Sequence, residues 1–195
     1  MNKQLDKVQN ILLHPKREWE ITQYEYTPSR EVILQYVLPL AALSAAATFL
    51  GIWLWGFNTA IVRISGFSTG IILGINGLLI DLLTVVLGAY LIDALAPSFH
   101  AEKNREKSMQ LIAYAYTPVL VGGLLSFIPL LSMVGNLLGL YSIPLLYWGL
   151  VPMKRVPEDK KISYLIVAVL LLLLLNAFVS YLLNGLFGSP YRMPA

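Results

Sequence analysis

The sequence of 195 residues predicts an all-α polytopic membrane protein, a five-helix transmembrane bundle preceded by an amphipathic N-terminal arm. Three observations predict it. Hydrophobic residues make up 57% of the chain and charged residues 13%, where an average soluble protein carries roughly 45–50% and about 25%. Five apolar runs are each long enough to cross a hydrocarbon core about 30 Å thick at about 1.5 Å per residue. The basic residues gather in alternate connecting segments. The chain has no cysteine, which excludes disulfides, thiolate metal sites and a cysteine nucleophile.

The arm occupies residues 1–35, the membrane domain 36–188 and a short tail 189–195. In the arm, Leu5, Val8, Ile11 and Leu12 form an apolar stripe opposite Lys3, Asp6, Lys7, Gln9 and Asn10, and Pro15 ends that helix. The stripe and the following Trp19, Tyr24 and Tyr26 predict a cytoplasmic helix lying on the bilayer, with Lys16, Arg17 and Trp19 at headgroup depth. The same stripe would equally serve a cap packed on the ends of the bundle. The polar stretch before the first span argues against a cleaved signal peptide.

The spans lie at about 37–57, 71–95, 111–128, 130–151 and 162–186. Lys and Arg number five before span 1, three between spans 2 and 3 and four between spans 4 and 5. The remaining two are Arg63 and Arg192. Twelve of fourteen on one side place the N-terminus inside and the C-terminus outside, and they explain a net charge of +3 without nucleic-acid binding. The membrane and its anionic lipids are the expected partner.

Span 2 carries Gly70, Gly74, Gly77, Asp81, Thr84 and Gly88 at steps of three and four, which keeps them on one face of a helix. Small residues on such a face let another helix backbone approach closely. Asp81 lies about 15 Å into the span, near the midplane, where an ionised carboxylate costs at least ~2.5–3.5 kcal/mol on insertion scales. It therefore has either a structural hydrogen bond or a polar site to serve. Asn76 adds an amide in the outer half, and Asp93 near the inner end can reach interfacial water or loop lysines.

In span 3, Pro118 predicts a kink that frees the carbonyl of Tyr114, with Thr117 beside it. In span 4, Gly135 and Gly139 form a second close-packing pair and Pro144 a second kink. Spans 3 and 4 read as an antiparallel hairpin. In span 5, Asn176, Ser180 and Asn184 mark the buried edge of a leucine-rich helix.

Catalytic motifs do not survive the topology. Gly66-Phe67-Ser68-Thr69-Gly70 matches the serine-hydrolase elbow, but Ser68 and His100 fall at opposite ends of span 2. His14 and Glu18 alone make no metal site. The sequence predicts no enzyme, no cofactor and no metal.

The order of these features is familiar. His14-Pro15-Lys16-Arg17-Glu18-Trp19, five spans, Asp93 closing span 2, Ala113 to Pro118 opening span 3 and Gly149 closing span 4 together resemble the bacterial branch of the Yip family over about residues 8–188. The resemblance implies a five-span fold, the cytoplasmic (inner) membrane of a bacterium and homo- or hetero-association through the spans. Eukaryotic members serve vesicle traffic through Rab proteins; their Asp-Leu-Tyr-Gly-Pro arm motif is missing here, so that role does not carry over. The expected function is a scaffold or assembly factor acting through helix association. Its alternative is a transporter or channel for an ion, small solute or lipid using Asp81.

Overall fold

The computed structural model describes residues 2–58 and 63–187. The tail 189–195, with Arg192, lies outside them. Two arm helices, α1 (Asn2–Leu13) and α2 (Pro15–Thr22), are followed by five long apolar helices: α3 (Ser29–Leu54), α4 (Phe67–Phe99), α5 (Arg105–Phe127), α6 (Ser132–Lys154) and α7 (Glu158–Phe187). Each is long and apolar enough to cross a membrane. All five extend several residues past one end of the apolar runs read from the sequence, because a helix continues into its polar flanks as long as its backbone bonds are made, whereas α3 stops at Leu54 and α6 starts at Ser132, inside their runs. An antiparallel pairing of Phe57–Asn58 with Arg63–Ile64 lies between α3 and α4.

Helix α4 packs between α3 and α7, and α5 joins α3, α4 and α6. Helices α4 and α7 are continuous through their apolar lengths, whereas α5 and α6 are broken. Pro118 has no N–H for the carbonyl of Tyr114, and α5 divides at Tyr116 into Arg105–Ala115 and Thr117–Leu124. Pro144 likewise has no N–H for the carbonyl of Leu140, which takes the N–H of Ile143 at 3.1 Å instead, and α6 divides into Ser132–Gly139 and Ser142–Lys154. Ahead of Pro39 the backbone of α3 widens into a π-helical stretch, Val32–Val37.

The glycines show how the helices approach. A Cβ on Gly70 would lie 2.8 Å from the carbonyl oxygen of Phe49, and one on Gly74 2.9 Å from that of Ala45, so these two seat α4 on α3. Gly88 instead faces Leu172 of α7, and among the described residues nothing lies within 4 Å of a Cβ on Gly77. The single face expected of the glycine stripe is thus shared between two neighbours and a gap, because a helix at the centre of a bundle has partners on several sides. Gly122 and Gly135 bring the backbones of α5 and α6 into direct contact, and Gly139 lies against Val119.

The arm folds back on the bundle. Trp19 is 0% exposed, packed on Gly149 and 6.3 Å from the ring of Tyr114. This corrects the expectation that Trp19 rests at headgroup depth: the side chain that best fits an interface also best fills the notch over a glycine. Tyr24 and Tyr26 remain exposed, as do Lys16 and Arg17. Lys7 bridges Glu18 and Glu25, each at 2.7 Å, and Lys107 Nζ donates to the carbonyls of Gln23 and Glu25, each at 2.8 Å. The arm is a cap on the bundle and covers one end of it, called here the arm end.

Candidate functional site

Asp81 lies near the middle of α4, and its Oδ1 accepts a hydrogen bond from the hydroxyl of Tyr116 at 3.0 Å. Tyr116 is the residue at which α5 breaks. One turn along α4, Thr84 Oγ1 accepts from Asn176 Nδ2 of α7 at 3.1 Å. Between these helices and α6 lies a cavity of about 460 Å³ whose polar lining is Asp81, Thr84, Tyr116, Asn136, Ser142 and Asn176. Aliphatic side chains such as Ile80, Ile112, Ile143, Leu146 and Val169 form the rest of the wall.

Both helix breaks open on this cavity. Tyr116 enters it from α5, while Leu140, Ser142 and Ile143 enter it from the break in α6. Among the described residues Ser142 Oγ, buried there, has no hydrogen-bond partner. One hydroxyl donor leaves most of the acceptor capacity of the Asp81 carboxyl unused, and an unused polar group in an apolar wall is costly unless something else meets it. The arrangement can therefore hold a small molecule that brings hydrogen-bond donors or positive charge and is otherwise apolar. Its size falls within the range of about 300–1,000 Å³ usual for ligand pockets.

The other polar residues of α4 have structural partners. Asn76 Nδ2 donates to Asn184 Oδ1 of α7 at 2.7 Å. With Thr84 and Asn176 this makes two polar rungs along the α4–α7 contact. Such bonds average about 0.6 kcal/mol in membranes because the separated helices also find partners. A double-mutant cycle on Thr84→Val and Asn176→Leu, read by unfolding in mixed micelles, is expected to give a coupling of about that size.

Asp93 closes α4 at the arm end. Lys154 Nζ lies 3.0 Å from its Oδ1 and donates to Ser108 Oγ at 2.7 Å, while Ser108 Oγ lies 3.0 Å from the same carboxylate oxygen. Lys154 is 0% exposed. This clasp ties together α4, α5 and α6, and Tyr164 of α7 adds a hydrogen bond to the carbonyl of Ile92 at 2.6 Å. Asp93 therefore belongs to a structural ion pair some way from the cavity.

Of the residues expected at the α5 kink, Tyr114 and Thr117 turn away from the cavity toward the arm end. Tyr114 meets Tyr36 edge-on at 4.9 Å between centroids, and Thr117 Oγ1 lies 2.7 Å from the Tyr36 hydroxyl. Pro118 acts through the break alone. The residue between them, Tyr116, reaches Asp81 and was not singled out by the sequence reading. Asn136 and Ser142 were missed as site residues too, and Asn176 was read only as packing. Pro118 and Pro144 were the available signal, since each break lies within a few residues of a polar lining group. Ser68 and His100 sit at the two ends of α4, as the rejection of a hydrolase site requires.

The chain is similar to known membrane proteins. The family described as the Yip1 domain matches residues 10–180. The inner membrane protein YohC of Escherichia coli is 26% identical over 200 residues, an alignment that covers 97% of this chain and 100% of that protein. No solved structure matches the chain.

Proposed function

Since the chain belongs to the Yip1 domain family of membrane proteins, we propose that it is a non-enzymatic inner-membrane protein that binds a small solute beside Asp81 and passes it across the bilayer. The solute class is an apolar molecule or ion carrying positive charge or hydrogen-bond donors. The observation that carries this reading is the meeting of two broken helices at a cavity of about 460 Å³ with Asp81 and Tyr116 on its wall. Irregular backbone at membrane depth is tolerated where it lines a cavity, and discontinuous helices are the recurrent way in which transporters build a midplane site. The polar lining of one carboxyl, hydroxyls and amides is suited to holding a ligand rather than to passing protons between an acid and a nucleophile.

Helix association as a scaffold, which the small face of span 2 recommended, has less of that face to use. Gly70 and Gly74 are covered by α3 and Gly88 by α7 within the same chain, which leaves only Gly77 of that stripe open to a partner. For orientation, the arm end carries Lys16, Arg17, Lys103, Arg105, Lys154 and Lys160, and the positive-inside rule assigns that end to the cytoplasm.

The test is flux into liposomes containing the full chain, with proton entry followed by a pH-sensitive dye and cation entry by radiolabelled tetraethylammonium, which crosses a bare bilayer poorly. At least one flux is expected to exceed that of protein-free liposomes and to fall roughly tenfold in Asp81→Asn, equivalent to about 1.4 kcal/mol. Asn keeps an acceptor for Tyr116, so the fold is retained. Flux equal to protein-free liposomes for both probes, or unchanged in Asp81→Asn, sinks the proposal.

A further inference from the structure

A second cavity, of about 470 Å³, lies where the α1–α2 corner of the arm meets α6, lined by Leu13, His14, Lys16, Arg17, Tyr141 and Trp148 among others. Its chemistry is graded along its length. Lys16 and Arg17 bring positive charge to it, with His14 adjoining them in the lining. The floor is aromatic, with Tyr141 and Trp148 at 6.4 Å between ring centroids and Lys16 Nζ 5.7 Å from the centre of the Trp148 ring. Leu13, 62% exposed, stands at the lip.

The positive charge here is unspent. Among the described residues, neither Lys16 nor Arg17 has a carboxylate within ion-pair distance, and Glu18, the nearest acid in sequence, is committed to Lys7 at 2.7 Å. Lys154, Arg155 and Lys161 of the same end are paired, with Asp93, Glu102 and Glu158, whereas among the described residues Lys103, Arg105 and Lys160 are as free of carboxylates as Lys16 and Arg17 but line no groove with aromatic walls. The corner is thus a concave surface of positive charge backed by aromatic rings.

Depth decides which anion. Trp148 lies six residues before Lys154, the last residue of α6, and Tyr141 thirteen, which at about 1.5 Å per residue puts them about 9 Å and 20 Å along the helix from its end. With the arm end on the cytoplasmic side and α6 taken across the bilayer, the groove runs inward along α6, with Lys16 beside Trp148 nearer the helix end and apolar surface at Leu13 and Tyr141 farther in. A free phosphate would use only the first part. We propose that this groove binds the headgroup and proximal acyl chain of an anionic phospholipid, with the phosphate held by Lys16 and Arg17 and the glycerol region lying over Trp148. The site is separate from the Asp81 cavity and does not depend on the function assigned to it.

Quenching of Trp148 by lipids brominated on their acyl chains tests this with the full chain in nanodiscs. The Trp148 contribution is the difference between wild type and Trp148→Phe. Brominated phosphatidylglycerol is expected to quench it at roughly tenfold lower mole fraction than brominated phosphatidylcholine. In Lys16→Gln/Arg17→Gln, both exposed positions, the two lipids are expected to quench alike, whereas Lys103→Gln/Lys160→Gln removes the same charge elsewhere and keeps the preference. Equal quenching of wild type by the two lipids overturns the proposal, as does loss of the preference in both double variants. Excess inorganic phosphate should leave the preference intact; if phosphate abolishes it, the ligand is a free anion and the lipid assignment falls.

Discussion

Lys154→Met is expected to destabilise the folded protein by about 3–5 kcal/mol. Lys154 has no exposure, and its ammonium meets Asp93 Oδ1 at 3.0 Å, Ser108 Oγ at 2.7 Å and the carbonyl of Asn104 at 3.3 Å. Methionine fills nearly the same volume, so the loss comes from leaving the Asp93 carboxylate buried with only Ser108 to meet it. Removing both charges separates the two effects: Asp93→Asn with Lys154→Met is expected to recover more than half of the loss, because no unpaired ion remains. Arg155 next door supplies the contrast. Its pair with Glu102 is 3.3 Å long but the side chains are 82% and 45% exposed, and an exposed pair contributes about 0–1 kcal/mol. Denaturant titration in mixed micelles measures all three variants. A loss in Lys154→Met no larger than that in Arg155→Ala would mean that water reaches the clasp.

Gly122→Leu is expected to prevent folding, with a cost of at least about 3 kcal/mol. Its Cβ would run into the carbonyl oxygen of Gly135 and lie 3.2 Å from the Gly135 Cα. These are backbone atoms that no rotamer change can move aside, so α5 and α6 would have to separate along the hairpin they form. Gly77→Leu is the matched control, because among the described residues a Cβ there meets nothing within 4 Å. It is expected to give folded protein in near wild-type yield. The yield of the monodisperse peak on size exclusion in detergent, from equal membrane fractions, checks both. A Gly122→Leu protein recovered as well as Gly77→Leu would show that the helices can shift apart at little cost.

These contrasts also show what the sequence carries. Five spans were legible because burying backbone in hydrocarbon demands long apolar helices, and that demand is written residue by residue. The breaks at Pro118 and Pro144 were legible for the same reason: a missing N–H is a property of one residue. Partners were not. Asp81 could be placed at mid-depth, but its bond to Tyr116 depends on how α5 turns at its break, and no spacing within α4 encodes that. Asp93 was seen to be within reach of lysines, yet only the return of α6 to the same end selects Lys154. The arm stripe of Leu5, Val8, Ile11 and Leu12 is equally suited to lipid and to protein. Ile11 and Trp19 at 0% exposure show that protein won, because Gly149 leaves a hollow that the indole fills.

The break in α6 is a step with two sides. Leu140, Ser142 and Ile143 border the Asp81 cavity, while the hydroxyl of Tyr141, between them, holds the carbonyl of Leu12 at the tip of the arm at 3.2 Å. Occupants of the cavity and of the arm groove thus press on consecutive residues of one short turn of backbone between two helical pieces. If a cavity ligand favours one setting of that step by some factor, the arm must close or loosen on it by the same factor, and a ligand of the arm changes affinity in the cavity reciprocally. The six residues from Leu12 to Arg17 are in this sense the handle of a lever whose fulcrum is Tyr141.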